Sequence, residues 1–211
     1  MNYNQAKNWI DLGDWGKGMD EHKLPPSSHL SGRTLQMHIH DTGMKVQCTF
    51  LDSGSLSWAT GDKQNGEPPL FGKYEAINIA DQIYFVDFVT PDKKNVSISV
   101  VLDLDAGNAT ILKATLPEHH MVSHSFTDRL GQGVDLSNIR VRIQHASINP
   151  GSRGLADIHK RTSDLVGKRI RYTYSSDHVY EHIYLNERFY TWHCLEGIEK
   201  GLADTEICNY F

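Results

Sequence analysis

The sequence predicts an all-β protein: an antiparallel β-barrel built from two repeated halves, the second of them incomplete. Three observations predict it. Apolar and polar residues alternate in short runs, as at Thr34–His40, where Leu35, Met37 and Ile39 interleave with Gln36, His38 and His40. Gly, Pro, Asn and Asp separate these runs at short intervals, and long helical periodicity is scarce. A pattern that begins at Leu30 begins again at Leu165.

The elements follow in order. Residues 1–29 are polar and end in Leu24-Pro25-Pro26-Ser27-Ser28, an extended lead-in that cannot be helical past the prolines. Thr34–His40 is the first strand, and Asp41-Thr42-Gly43 reads as a hairpin turn. Lys45–Leu51 is the second strand, Asp52-Ser53-Gly54 a turn and Ser55–Thr60 the third strand. Ala76–Ile79, Gln82–Val89, Ser97–Leu104 and Ala109–Ala114 follow as strands, with turns at Ala80-Asp81, Pro91-Asp92 and Ala106-Gly107-Asn108. Residues 116–164 read as a linker, because Pro117, Gly131, Gly133, Pro150, Gly151 and Gly154 break them. One strand at Ile139–Ile143 and a short helix near Ala156–Arg161 are expected inside that linker.

At Leu165 the first pattern resumes. Leu30-Ser31-Gly32-Arg33 matches Leu165-Val166-Gly167-Lys168, and Leu35, Met37 and Ile39 match Ile170, Tyr172 and Tyr174. After a deletion in the hairpin, Phe50-Leu51-Asp52 matches Tyr184-Leu185-Asn186, and Leu56-Ser57-Trp58 matches Tyr190-Thr191-Trp192. The domains are therefore expected at 1–29 (lead-in), 30–115 (first copy), 116–164 (linker) and 165–211 (second copy). The second copy lacks counterparts of Gln82–Val89, Ser97–Leu104 and Ala109–Ala114, so the sequence reads as a truncated form of a longer protein. Whether the copies share one barrel or form two is left open.

Composition narrows the function. The 211 residues carry 21 Lys+Arg against 26 Asp+Glu, a net charge of -5, which argues against a nucleic-acid partner because phosphate binding needs a basic stripe. Cys48, Cys194 and Cys208 form no CxxC pair, so neither a disulfide framework nor a Cys-rich zinc site is expected. No apolar run approaches a membrane span and no signal peptide is visible, so a cytoplasmic protein without a membrane partner is the expectation. There is no GxSxG, P-loop or GxGxxG motif, and no cofactor is expected. Twelve His invite a metal reading, but His38 and His40 align with Thr173 and Ser175 on the face opposite the tyrosines, and His119, His120 and His124 sit in the linker without carboxylates or Cys at a familiar spacing. No metal site is expected.

The strongest constellation lies in the second copy. Alternation puts Tyr172 and Tyr174 on one strand face, and the repeat aligns that face with apolar Leu35, Met37 and Ile39. Buried tyrosine supplies an apolar body with a hydroxyl that needs a partner, so this face suits an oxygen-bearing small molecule. Tyr172, Tyr174, Glu181 and His193 are the candidate catalytic residues, and Tyr184, Tyr190, Trp192 and Trp58 the candidate ligand-binding ones. The alternative is an aromatic core whose hydroxyls bond to backbone. His193 and Cys194 are adjacent and point to opposite faces, which disfavours a Cys–His nucleophile pair within that strand. Asp204 and Glu206 share a face that is either solvated or part of a rim.

The stretch Tyr180-Glu181-His182-Ile183-Tyr184-Leu185-Asn186, with Tyr190-Thr191-Trp192-His193-Cys194-Leu195-Glu196-Gly197 and Gly201-Leu202-Ala203-Asp204-Thr205, closely resembles the C-terminal domain of the MoaF family. Leu24-Pro25-Pro26-Ser27 to Leu30-Ser31-Gly32 resembles the start of the family's N-terminal domain. The resemblance implies a nominal link to molybdenum cofactor biosynthesis or to monoamine metabolism. More distantly, the second copy is similar to the phenolic acid decarboxylases. That similarity implies a lipocalin-like barrel, with substrate-binding tyrosines at Tyr172 and Tyr174, a Tyr-Glu strand at Tyr180-Glu181 and a Gly pair at Gly197 and Gly201. The decarboxylases' Arg would fall near His193, and a neutral His clamps a carboxylate less well than an Arg fork.

Three functions follow as expectations. The first is a barrel protein binding a small aromatic or oxygen-bearing molecule. The second is a lyase or isomerase acting on a phenolic or enolic acid, with Glu181 or His193 moving the proton. The third is a structural or assembly role, which leaves homo-oligomerisation open.

Overall fold

A computed structural model describes residues 16–61, 68–90, 95–116, 126–133, 139–151 and 156–211. It forms two compact units: Pro25–His159, and Lys160–Phe211 with the segment that ends at Leu24.

The first unit is a closed antiparallel barrel of eight strands, each bonded to the next in sequence. They are β1 (Thr34–Ile39), β2 (Lys45–Phe50), β3 (Ser55–Thr60), β4 (Leu70–Ala80), β5 (Ile83–Val89), β6 (Val96–Asp103), β7 (Asn108–Thr115) and β8 (Arg140–Ile148). Strand β8 pairs with β7 along its length and with β1 through Met37 opposite Ile148 and Ile39 opposite Ala146, which closes the barrel. The predicted alternation holds: Leu35, Met37 and Ile39 are buried, as are Val46, Cys48 and Phe50 on the next strand. An eight-stranded barrel is just wide enough for side chains to fill. Leu35, Cys48, Phe50, Trp58, Val86 and Phe88 are among those that do so here, around a void of only about 10 Å³. That is barely room for one water. Burial pushes the Cys48 thiol up to about 12, so it stays a protonated, inert core group.

The structure corrects the reading of 116–164. The strand expected at Ile139–Ile143 runs from Arg140 to Ile148 and is the barrel's closing strand, so the stretch is not merely a linker. An unanticipated helix, α1 (Phe126–Gln132), ends at Gly133, whose positive φ of 63° suits a helix C-terminus. The helix expected near Ala156–Arg161 does not form. There the Ala156 N–H donates to Ser147 Oγ, and His159 Nδ1 bonds Thr110 Oγ1. Tertiary hydrogen bonds to the outer barrel wall take the place of a helical ladder. His40 belongs to the same wall, with Nε2 at 2.7 Å from Ser147 Oγ. The Pro91-Asp92 turn and His119, His120 and His124 lie outside the described residues.

The second unit contains a four-stranded antiparallel sheet in the order β12-β11-β10-β9. Its strands are β9 (Arg169–Thr173), β10 (Val179–Tyr184), β11 (Phe189–Glu196) and β12 (Ala203–Ile207). The all-β barrel expected from sequence is present, and the question of one barrel or two that the repeat left open is answered for the first copy, which closes on itself with β8 and takes no strand from the second.

The local geometry of the aligned segments is nevertheless the same. The Gly32 N–H donates to the Phe50 carbonyl and the Phe50 N–H to the Arg33 carbonyl; Gly167, Tyr184 and Lys168 make the same two bonds. Gly32 and Gly167 have φ of 77° and 78°, a conformation glycine adopts without strain. The Tyr74 hydroxyl donates to the Asp52 carbonyl, and the Tyr210 hydroxyl donates to the Asn186 carbonyl. Tyr74 stands edge-on to Phe50, as Tyr210 does to Tyr184, both at an interplanar angle of 68°.

Candidate functional site: the aromatic face of the C-terminal sheet

Register assigns the faces of this sheet. Tyr180 lies opposite Tyr172 and Cys194, His182 opposite Ile170 and Trp192, and Tyr184 opposite Tyr190. On β12, Asp204 lies opposite Trp192 and Glu206 opposite Tyr190. Cross-strand partners share a face, so all of these side chains stand on one side. In the barrel the aligned positions Met37, Cys48, Phe50 and Leu56 are buried, and Trp58 is partly buried against them. In the sheet Tyr172, His182, Tyr190 and Trp192 remain only partly buried.

The rings form one connected network. Tyr172 stacks with Tyr174 at 6.3 Å and meets His182 at 4.5 Å. His182 meets Tyr190 at 4.9 Å, and Tyr190 stacks with Tyr184 at 5.9 Å. Tyr180 links Tyr174 at 5.7 Å to Trp192 at 6.0 Å. The hydroxyls of Tyr172 and Tyr184 are 2.7 Å apart. Tyr180 donates to Glu199 Oε2 at 2.9 Å, and Tyr190 donates to Glu206 Oε2 at 3.1 Å. Among the described residues no hydrogen bond reaches the Tyr174 hydroxyl, the His182 ring or the Trp192 indole N–H.

Electrostatics keep this face uncharged at its centre. Burial, with the adjacent Tyr172 hydroxyl, pushes the Tyr184 phenol well above the ordinary range. Burial and then Glu206 do the same for Tyr190, and burial and then Glu199 for Tyr180. Burial also raises Tyr174. All four therefore keep their protons near neutral pH. Burial holds His182 below the ordinary histidine range, against the pull of Glu206, so the imidazole is neutral. The centre of the sheet offers hydroxyl donors, one neutral imidazole and ring faces, with carboxylates along its edge.

Sequence comparison places this unit. The profile of the MoaF N-terminal domain matches residues 7–118, and that of the MoaF C-terminal domain matches residues 159–211. Protein MoaF of Klebsiella aerogenes is 37% identical over 207 residues, covering 96% of this chain and 72% of that protein. The chain belongs to the MoaF family. A solved structure from Burkholderia vietnamiensis, described provisionally as a beta-lactamase, is 13% identical with a TM-score of 0.39, and it covers 60% of this chain and 97% of its own. That likeness is too slight to assign a fold. The MoaF N-terminal match stops at residue 118, short of the strand at Arg140–Ile148 that closes the barrel. The MoaF C-terminal match contains the whole aromatic face.

Within the MoaF C-terminal domain, the predicted residues divide. Tyr172, Tyr174, Tyr184, Tyr190 and Trp192 share the aromatic face. Glu181 and His193 lie opposite each other on the other face, so the set Tyr172, Tyr174, Glu181 and His193 is not one constellation. The cause is strand parity, because Glu181 sits between Tyr180 and His182 and must point away from both. Glu181 is 8% exposed and bonded to Arg169, whose guanidinium holds the carboxyl below its usual range. Its carboxylate is engaged by Arg169 on the face away from the tyrosines. Trp58 lies in the barrel, against Phe88 at 5.6 Å, beside the small void.

Sequence reasoning missed Tyr180 and His182 as members of the face. The signal was present, since both are an even number of residues from Tyr184 on one strand. Among the described residues no group of three or more His, Cys, Asp or Glu is placed to hold a metal ion, and no helix is long and apolar enough to cross a membrane. A hollow of about 400 Å³ lies at one barrel end beside Arg33, Asp105 and Asn149. Those three are exposed, so it lacks the desolvated polar groups of a specific site.

Proposed function

We propose that this MoaF-family chain binds a small aromatic, oxygen-bearing molecule on the aromatic face of its C-terminal sheet. One observation carries the reading: a continuous network of rings, half-buried rather than sealed, with the Tyr174 hydroxyl, the His182 ring and the Trp192 N–H free of protein hydrogen bonds among the described residues. Ring faces supply stacking area, and unengaged donors and an acceptor fix orientation. The barrel serves as scaffold, because its interior is filled. The family's nominal link to molybdenum cofactor biosynthesis or monoamine metabolism enters on this reading through an organic ligand.

The test is a titration of the full-length protein with hydroxylated aromatic compounds, read by thermal shift. Binding raises Tm in a concentration-dependent way. Tyr174→Phe and His182→Gln weaken the shift, and a panel with no shift refutes the reading.

The alternative, a lyase or isomerase working on a phenolic or enolic acid, has less support. It needs a proton carrier beside Tyr172 and Tyr174, and Glu181 and His193 stand on the opposite face. Measurable turnover of a phenolic acid, lost in Glu181→Gln, would restore it.

A further inference from the structure

We infer that the ligand of the aromatic face is an organic cation: an ammonium or similar positively charged nitrogen carried next to a ring. This rests on the reading that the face binds a ligand at all, and it adds the ligand's charge.

Charge on the sheet is sorted by side. Within strands β9 to β12 the cationic side chains Arg169 and Arg171 alternate away from the tyrosines, to the side of Glu181 and Ile183. On the aromatic side the charged groups of β12 are carboxylates, Asp204 opposite Trp192 and Glu206 opposite Tyr190. Glu199, in the turn before β12, reaches back to accept the Tyr180 hydroxyl. Three carboxylates thus border the rings, and no Lys or Arg of these strands shares their side. Both tyrosine–carboxylate bonds leave the second carboxylate oxygen open to a further donor.

Two independent effects favour the same ligand charge. Carboxylates attract a cation by Coulomb forces that strengthen where water is partly excluded. Neutral phenol and indole rings present negative π-faces, which attract a cation within about 6 Å of the ring centre. An anion meets the reverse on both counts. The neutral His182 ring adds a nitrogen acceptor for an ammonium N–H at the centre of the network, 4.5 Å from Tyr172 and 4.9 Å from Tyr190. The same field disfavours an aromatic acid and a phosphate-bearing polymer, although ring faces on a sheet would otherwise suit stacked bases.

The experiment compares three compounds that share one ring: 4-hydroxybenzylamine, 4-hydroxybenzyl alcohol and 4-hydroxybenzoate, each titrated calorimetrically into the full-length protein at neutral pH. The amine is expected to bind roughly tenfold more tightly than the alcohol. The benzoate is expected to be weakest, and the amine's advantage should shrink as salt is raised from about 0.01 M to 0.15 M. Asp204→Asn with Glu206→Gln brings the amine-to-alcohol affinity ratio close to one; both positions are exposed, which favours folding of the variant. Equal binding of amine and alcohol, or tighter binding of the benzoate, overturns the cation while leaving the aromatic ligand standing. Binding of none of the three overturns both readings.

Discussion

The hydroxyl pair of Tyr172 and Tyr184 offers the sharpest test of how the aromatic face is held. The two oxygens are 2.7 Å apart, and Tyr184 is only 8% exposed. Tyr172→Phe strands the Tyr184 hydroxyl in a place where water cannot easily replace its partner. The expected cost is about 1–2 kcal/mol, the net worth of the bond plus part of the desolvation of an unpaired group. Tyr184→Phe costs less, about 0.5–1 kcal/mol, because the half-buried Tyr172 hydroxyl can turn to solvent. The double variant leaves no orphan, so it should cost less than the sum of the singles by about 1 kcal/mol. The assay is a double-mutant cycle in urea. Native-state hydrogen exchange on β9 and β10 should accompany it, since two compact units need not unfold together. Ultraviolet titration adds a second readout: Tyr172→Phe lowers the pH at which the Tyr184 phenol ionises, because the Tyr172 bond is one cause of the Tyr184 shift. Single effects that add within about 0.3 kcal/mol, with an unchanged phenol titration, would refute the account.

Three other predictions follow from the structure. Phe50→Ala should destabilise the barrel by about 3–5 kcal/mol in urea unfolding, because Phe50 is 2% exposed, packs edge-on against Tyr74 and borders the small void. Gly197→Ala should lower stability by about 1–3 kcal/mol, seen as a lower Tm, because Gly197 holds φ at 128° and a Cβ there would lie 3.0 Å from His178 Cδ2. Two groups of the C-terminal sheet contribute to the acid response. The folded state refuses His182 a proton that the unfolded chain accepts, so stability falls as pH drops below the ordinary histidine value of 6.5, and His182→Gln removes that slope. Tyr172, Tyr184, Tyr190, Trp192 and Glu206 surround that ring, and only Glu206 opposes the effect. The Arg169-held Glu181 contributes stability above the ordinary value of 4.5, which is lost as pH falls through its lower folded value; Arg169→Met removes that stabilisation.

Much of the barrel was legible in the chain. Ser55–Thr60 falls where alternation places it, and Thr34–His40 and Lys45–Leu51 end one residue early, because period-two burial is a local property. Strand β4 extends well beyond the expected Ala76–Ile79, since Leu70, Phe71 and Gly72 pair with β3 without alternating burial. The closing strand was seen only in its first part, Ile139–Ile143, because Gln144-His145-Ala146-Ser147 shows no apolar alternation, although Ala146 and Ile148 are buried in the barrel. At the site, parity was readable for Tyr172 and Tyr174, but the same rule sets Glu181 and His193 against them, and grouping all four by nearness in sequence obscured that. His182 was passed over, although its even spacing from Tyr184 already set it on the tyrosine face.

What the sequence determined by itself was local: which residues are strands, which turns need glycine, and which side chains share a face. Those depend on backbone geometry over two or three residues, and they recur at Leu30–Asp52 and Leu165–Asn186 with the same hydrogen bonds. What only the tertiary structure decided was closure. Pairing β1 with a strand more than a hundred residues later is a long-range choice, made by which edges meet and not by any local propensity. In the barrel, closure seals the inward face and fills it with side chains. In the C-terminal sheet the aligned face is aromatic and bordered by carboxylates, and that chemistry makes it the candidate site.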